Sequence, residues 1–243
     1  MFKKISLFVI FQIILLNAAT IPNSMENMIG SVNSNTAQMT EENSKKTYDE
    51  LINGLSKSFD PSHAMYLATI YLNGISEPDI EGHIVKADIN KSIKYFEKSI
   101  NLNDFKSAAM LGSLYLFDSR FDTQKDRVKK AKYYLNLAVK NGIYEATTAL
   151  ASIYLYYEKN TNKGFETLYL GAKNNNSSAQ LILATLYAYG SKDLNVSRNI
   201  ILGNSFLEKA CLNKKKTKKV EEFCSSDNVL NYKKNEVNKK WKK

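Results

Sequence analysis

Between residues 60 and 211 apolar side chains recur every three or four positions, the period of a helix with one buried side. Four stretches repeat one order of residue types: AMYLATIYLN, AAMLGSLYLF, TTALASIYLY and QLILATLYAY. Aligned on Tyr71, Tyr115, Tyr154 and Tyr187, each has a leucine four positions earlier, namely Leu67, Leu111, Leu150 and Leu183. A small residue lies three positions earlier: Ala68, Gly112, Ala151 and Ala184. Leucine, small residue and tyrosine share one side of a helix, and the small residue admits a second helix at close range. The tyrosines are expected to wedge successive helical pairs together.

A second pattern follows each copy, with two small residues two turns apart around bulky ones. The pairs are Ser92/Ser99, Ala131/Ala138, Gly164/Gly171 and Gly203/Ala210. Each unit therefore reads as a hairpin of helix A and helix B. From the second small residue of B to the next A tyrosine the interval is constant, 99 to 115, 138 to 154 and 171 to 187. From each A tyrosine to the first small residue of B it varies, as 71 to 92, 115 to 131, 154 to 164 and 187 to 203 show. A fixed B–A register with free A–B loops predicts an array in which B packs onto the next A. Residues 45–59, with Tyr48, Leu51, Ile52 and Leu55 at helical spacing, predict a leading helix over the first hairpin.

The phrase A-x-x-L-[GA]-x-x-Y-x-x-G, written from Ala64 to Gly74 and followed by K-[small]-x-x-Y-[FYL], resembles the Sel1-like repeat, a relative of the tetratricopeptide repeat. The resemblance spans residues 60–211. Thr147 and Gln180 depart from the opening alanine, and the closing glycine survives only as Gly74 and Gly190. It implies an all-α, right-handed α/α solenoid of about four hairpins that acts as a protein-interaction scaffold, with exported bacterial examples. It also implies that the A helices line a concave wall. On that wall Thr69, Ser113, Ser152 and Thr185 would floor a shallow groove. Tyr66, Met110, Ala149 and Ile182 would flank it on one side, and Asn73, Phe117, Tyr156 and Tyr189 on the other. The alternative is that these side chains pack between neighbouring A helices. A groove of this kind takes a helix or an extended peptide.

The chain start, MFKK-ISLFVIFQIILL-NAAT, has the basic, apolar and small-residue order of an export signal over residues 1–19. The apolar run is short for a membrane span, although an uncleaved anchor is the alternative reading. No cysteine follows it to carry a lipid. Residues 20–44 are polar and predict a disordered linker. The expected address is the periplasm or the exterior.

The net charge of +10 changes the picture through its placement. Residues 212–243, a predicted C-terminal cap and tail, hold eleven lysines against Glu221, Glu222, Asp227 and Glu236. Outside the cell such a tail would meet anionic lipid, wall polymer or an acidic protein rather than nucleic acid, or simply remain solvated. Cys211 and Cys224, the only cysteines, predict a disulfide that closes this cap over the last repeat.

Candidate chemistry is sparse. His63 and His83 stand without a Cys or Ser partner in a recognisable arrangement, and HExxH, CxxC and phosphate loops are missing. Some cysteine-rich relatives carry a β-lactamase label. Ser226-Asp227-Asn228 spells SDN, but no SxxK precedes it and no KTG follows. No cofactor or metal is expected, and a binding protein is favoured over a hydrolase of cell-wall or β-lactam substrates or a purely structural envelope component. Asp193 to Ser197 fits the pattern D-x-N-x-S, which makes Asn195 a candidate glycosylation site. Asp88 to Ser92 fits it too, but there Asp88 and Asn90 are expected to cap helix B.

Overall fold

The computed structural model describes residues 48–79 and 81–225, so the expected export signal, linker and distal tail lie outside the described residues. The chain divides between Ala146 and Thr147 into two compact units. The first holds α1 (Tyr48–Ser56), α2 (Pro61–Asn73), α3 (Ile89–Asn101), α4 (Phe105–Phe117) and α5 (Arg127–Lys140). The second holds α6 (Thr147–Ser152), α7 (Thr161–Lys173), α8 (Ser177–Tyr189), α9 (Ile200–Leu212) and α10 (Lys218–Ser225). Helices α2/α3 and α4/α5 are two A–B hairpins, and α6/α7 and α8/α9 are two more.

Asp and Asn start most of these helices, because a short side-chain acceptor satisfies N–H groups that lack an intrahelical partner. Asp60 accepts from Ser62, Asp88 from Lys91 and Asp104 from Lys106 in the first unit. Asn160, Asn176 and Asn199 do the same for α7, α8 and α9. Asn90, expected to share in capping, lies inside α3 instead, and its Oδ1 accepts from Gln124 at 3.4 Å. Gly74 and Gly190 close α2 and α8 with φ of 74° and 70°. A Cβ on Gly74 would sit 2.8 Å from the Val85 carbonyl oxygen, so this glycine lets its loop fold back over the helix end.

The small residues seat each B helix on the A helix of its own hairpin. Ser92 donates to the Ala68 carbonyl at 2.7 Å and Ser99 to the Pro61 carbonyl at 2.9 Å. A Cβ on Gly112 would lie 2.7 Å from Leu135 Cγ, and one on Gly164 would overlap the Leu155 side chain. The same positions also reach the next A helix, where Ser107 of α4 donates to Ser99 of α3 at 2.9 Å.

Two of the tyrosines differ from expectation, and a third does what was expected in part. Tyr71 stacks on Tyr95 with centroids 5.5 Å apart, and Tyr115 stacks on Tyr134 at 5.9 Å, each within its own hairpin. Tyr187 stacks on Phe206 of its own hairpin at 6.2 Å and also meets Phe165 and Tyr169 of the preceding helix B. The ring three positions beyond the first small residue of B is a better partner than the next hairpin, because it lies directly across the A–B seam. In α7 that position is Thr167. There helix A departs from α geometry, with a π turn over Ile153–Tyr157 after α6.

Helix α1 lies on the first hairpin, where Tyr48, Ile52 and Leu55 pack with Leu67, Ile70 and Val85. At the other end, Cys211 and Cys224 form a disulfide with Cα atoms 5.5 Å apart. It fixes α10 over the last hairpin, with Val220 fully buried beneath.

Candidate functional site

The A helices carry almost no charge, so whatever they present to a partner is aromatic or hydroxylated. The four small hydroxyls do not point their protons outward. Thr69 donates to Met65 O, Ser113 to Ala109 O, Ser152 to Thr148 O and Thr185 to Leu181 O, each to the carbonyl four residues back. This back-bonding is the usual solution for Ser and Thr within a helix. Their protons are thus spent within the helix, and what they keep for a partner is acceptor lone pairs.

Four of the expected groove residues, Met110, Ala149, Ser152 and Ile182, are buried. Met110 is 8% exposed, and Ser152 and Ile182 are each 1% exposed. Neighbouring elements cover them, so for these positions packing takes the place of a binding role. Tyr66, Thr69, Ser113, Phe117, Tyr156 and Thr185 are half-buried, and Asn73 and Tyr189 are exposed. In the first unit Tyr66, Thr69, Asn73, Ser113 and Phe117 therefore reach solvent from two successive A helices. In the second, Tyr156, Thr185 and Tyr189 do so. Burial pushes the Tyr156 phenol up to about 12 and raises that of Tyr66 as well. Both rings thus keep their protons throughout the neutral range.

Of the packing residues, Leu67, Ala68, Leu111, Tyr115, Leu150, Ala151, Leu183 and Ala184 are buried, as is Gly112. Tyr71, Tyr154 and Tyr187 are half-buried at the surface seam. Over three of the tyrosines stands the lysine that precedes the first small residue of B. Lys91 lies 4.9 Å from the Tyr71 centroid, Lys130 5.3 Å from Tyr115 and Lys163 5.9 Å from Tyr154. The K-[small]-x-x-Y string thus writes one clasp, with the ammonium on the A tyrosine, the small residue on the A backbone and the aromatic on the same tyrosine.

Sequence reasoning missed Arg120. It donates to the Leu72 carbonyl at 2.7 Å and so caps α2, while it pairs with Asp118. Burial opposes ionisation of Asp118, but the hydrogen bonds and charge of Arg120 outweigh it and hold the carboxyl below its usual range. It also missed Phe121, which is fully buried edge-on to Tyr115 in a loop without apolar periodicity.

His63 bonds Ser58 through Nδ1 at 2.8 Å, and His83 faces Asp79 at 3.3 Å. Among the described residues no group of three or more His, Cys, Asp or Glu is placed to hold a metal ion. Ser226 to Asn228 lie outside the described residues. Asn195 is exposed in the loop between α8 and α9, where its own N–H donates to Lys192 O at 3.1 Å.

Repeated A–B hairpins, seated on small residues and clasped by A-helix tyrosines, define an α-hairpin repeat protein. The profile described as Sel1 repeat matches residues 62–104, 106–143 and 177–214, and the chain belongs to the Sel1-repeat family. The hairpin left unmatched is the one with the π turn and with threonine at the stacking position. A crystal structure of a Sel1 repeat protein from Oxalobacter formigenes is similar at 20% identity and TM-score 0.52, over 65% of this chain and 59% of that one. Another, of c5321, a protective antigen present in uropathogenic Escherichia coli strains, is similar at 16% identity and TM-score 0.50, over 68% of this chain and 33% of that one. These likenesses concern the fold. No curated protein matches the sequence.

Proposed function

We propose that this chain is an exported, non-catalytic scaffold that binds a protein or peptide partner through the solvent-facing side of its A helices. The observation that carries the reading is the set of aromatic side chains left partly exposed there, Tyr66 and Phe117 in the first unit and Tyr156 and Tyr189 in the second. Rigid aromatic rings on a regular helical support lose little entropy when a partner covers them. The family supports a role in protein interaction. The Cys211–Cys224 disulfide supports an oxidising compartment, where such a bond persists. Among the described residues no helix is long and apolar enough to cross a membrane.

The test is a crosslinking pull-down from native envelope with the full chain as bait. Replacing Phe117 and Tyr156 by Ala is expected to weaken partner capture more than it lowers the melting temperature. Equal losses of both would make these rings packing elements and end the proposal. Turnover of nitrocefin or peptidoglycan by the purified protein would replace the scaffold reading with a hydrolase.

A further inference from the structure

Among the described residues, helix α5 differs from every other helix in its charge. It carries Arg127, Lys129, Lys130, Lys132 and Lys140 and no carboxylate. Its Ala131, Leu135 and Ala138 are fully buried against α4, which turns the line Lys129, Tyr133, Asn136 and Lys140 to the opposite side. Tyr133 on that line is 64% exposed, the one large apolar side chain of α5 left in water.

Several other cations of the first unit are already engaged. Lys91 stands over Tyr71, Lys130 over Tyr115, and Lys98 donates to Ser56 O at 2.6 Å. Arg127 pairs with Asp122 at 2.6 Å. Lys129 and Lys140, by contrast, meet no carboxylate among the described residues. On α5 the two free ammonium groups thus stand at the ends of one helical line, with an exposed aromatic between them.

We infer that this outer line of α5 is a second docking surface, which takes an acidic peptide segment of a protein partner. Charge complementarity selects the occupant, since two unpaired ammonium groups with no neighbouring carboxylate favour an anionic chain. Geometry selects its form. Lys129 and Lys140 are about 16 Å apart along the axis at the rise of an α-helix, a span that about five extended residues cover. Tyr133 between them supplies the ring that most often anchors a contact of this kind. The free ammonium groups of α5 follow one line with a ring between them, the arrangement an extended chain can track, whereas a lipid surface asks for basic residues spread over a plane.

The full-length protein is titrated into a fluorescein-labelled poly-glutamate peptide and its poly-glutamine counterpart, read by anisotropy at low and at physiological salt. Binding of the glutamate peptide alone, weakened by salt, is expected. The pair Lys129→Glu and Lys140→Glu is expected to weaken it about tenfold or more, and Tyr133→Ala by a smaller factor. All three positions are exposed, so the melting temperature should not move. Phe117→Ala should leave peptide binding unchanged, which keeps this surface separable from the A-helix proposal. Binding that survives the α5 substitutions but is lost on Lys214→Glu with Lys215→Glu overturns the inference in favour of the basic C-terminal stretch. If the α5 substitutions spare the peptide but abolish adsorption to phosphatidylglycerol vesicles, the surface is a membrane contact and the inference also falls.

Discussion

The ring of Tyr115 lies parallel to that of Tyr134, with centroids 5.9 Å apart and planes 2° apart, and Phe121 closes on Tyr115 edge-on at 5.1 Å. Three aromatic residues from helix A, loop and helix B thus lock the second hairpin at one point. Tyr115→Ala is expected to cost about 3–5 kcal/mol by urea denaturation, the range for removing a buried ring. Tyr71→Ala, at the half-exposed equivalent, should cost clearly less. Equal costs would mean that the clasp is not what holds the second hairpin.

The same burial, helped by the nearby Glu97 carboxylate, pushes the Tyr115 phenol up to about 12. Because the folded state holds this proton more tightly than the unfolded chain, its contribution to stability is complete below pH about 10 and is lost as the pH rises towards 12. Tyr115→Phe has no proton to lose there. Its alkaline unfolding, followed by circular dichroism, should begin at higher pH than that of the native sequence.

Gly112 and Gly54 make opposite predictions for one substitution. A Cβ at Gly112 would meet Leu135 Cγ at 2.7 Å and Leu135 N at 3.0 Å, whereas at Gly54 nothing lies within 4 Å. Gly112→Ala should therefore destabilise by about 1–3 kcal/mol through overpacking, despite the better helix propensity of alanine. Gly54→Ala should stabilise slightly, by up to about 1 kcal/mol. Thermal melts of the two variants decide it, and stabilisation by Gly112→Ala would refute the close seating of α5 on α4.

Cys211 and Cys224 are 13 residues apart, and their bond holds α10 in place. Replacing both by Ser is expected to cost about 2–4 kcal/mol, the usual worth of a loop this short. Loss of amide protection should be confined to α10 and the end of α9. Unchanged protection at Val220 would show that burial alone seats the cap.

How much of this was legible beforehand depends on what each residue type encodes. The positions of Ala131, Ala138, Leu67 and Gly112 were readable because helical periodicity says which side of a helix faces protein. The destination of Tyr71 was not, since periodicity gives a direction around the axis of one helix and never the name of the neighbour met there. The back-bonding of the Thr69 and Ser113 hydroxyls was not legible for a similar reason. Whether such a group faces a ligand or its own backbone is a local rotamer choice, and the carbonyl one turn back is always on offer. Burial of Met110 and Ile182 required knowing what lies above them.

The order of residues by itself determined the hairpin repeat, the register of its small positions and the pairing of its two cysteines, because each follows from spacing along a helix or from simple scarcity. Only the tertiary structure decided which rings meet, which hydroxyls are spent internally and which lysines are left without a counter-charge. Those outcomes depend on distances between segments remote in sequence, and no one-dimensional pattern sets such distances.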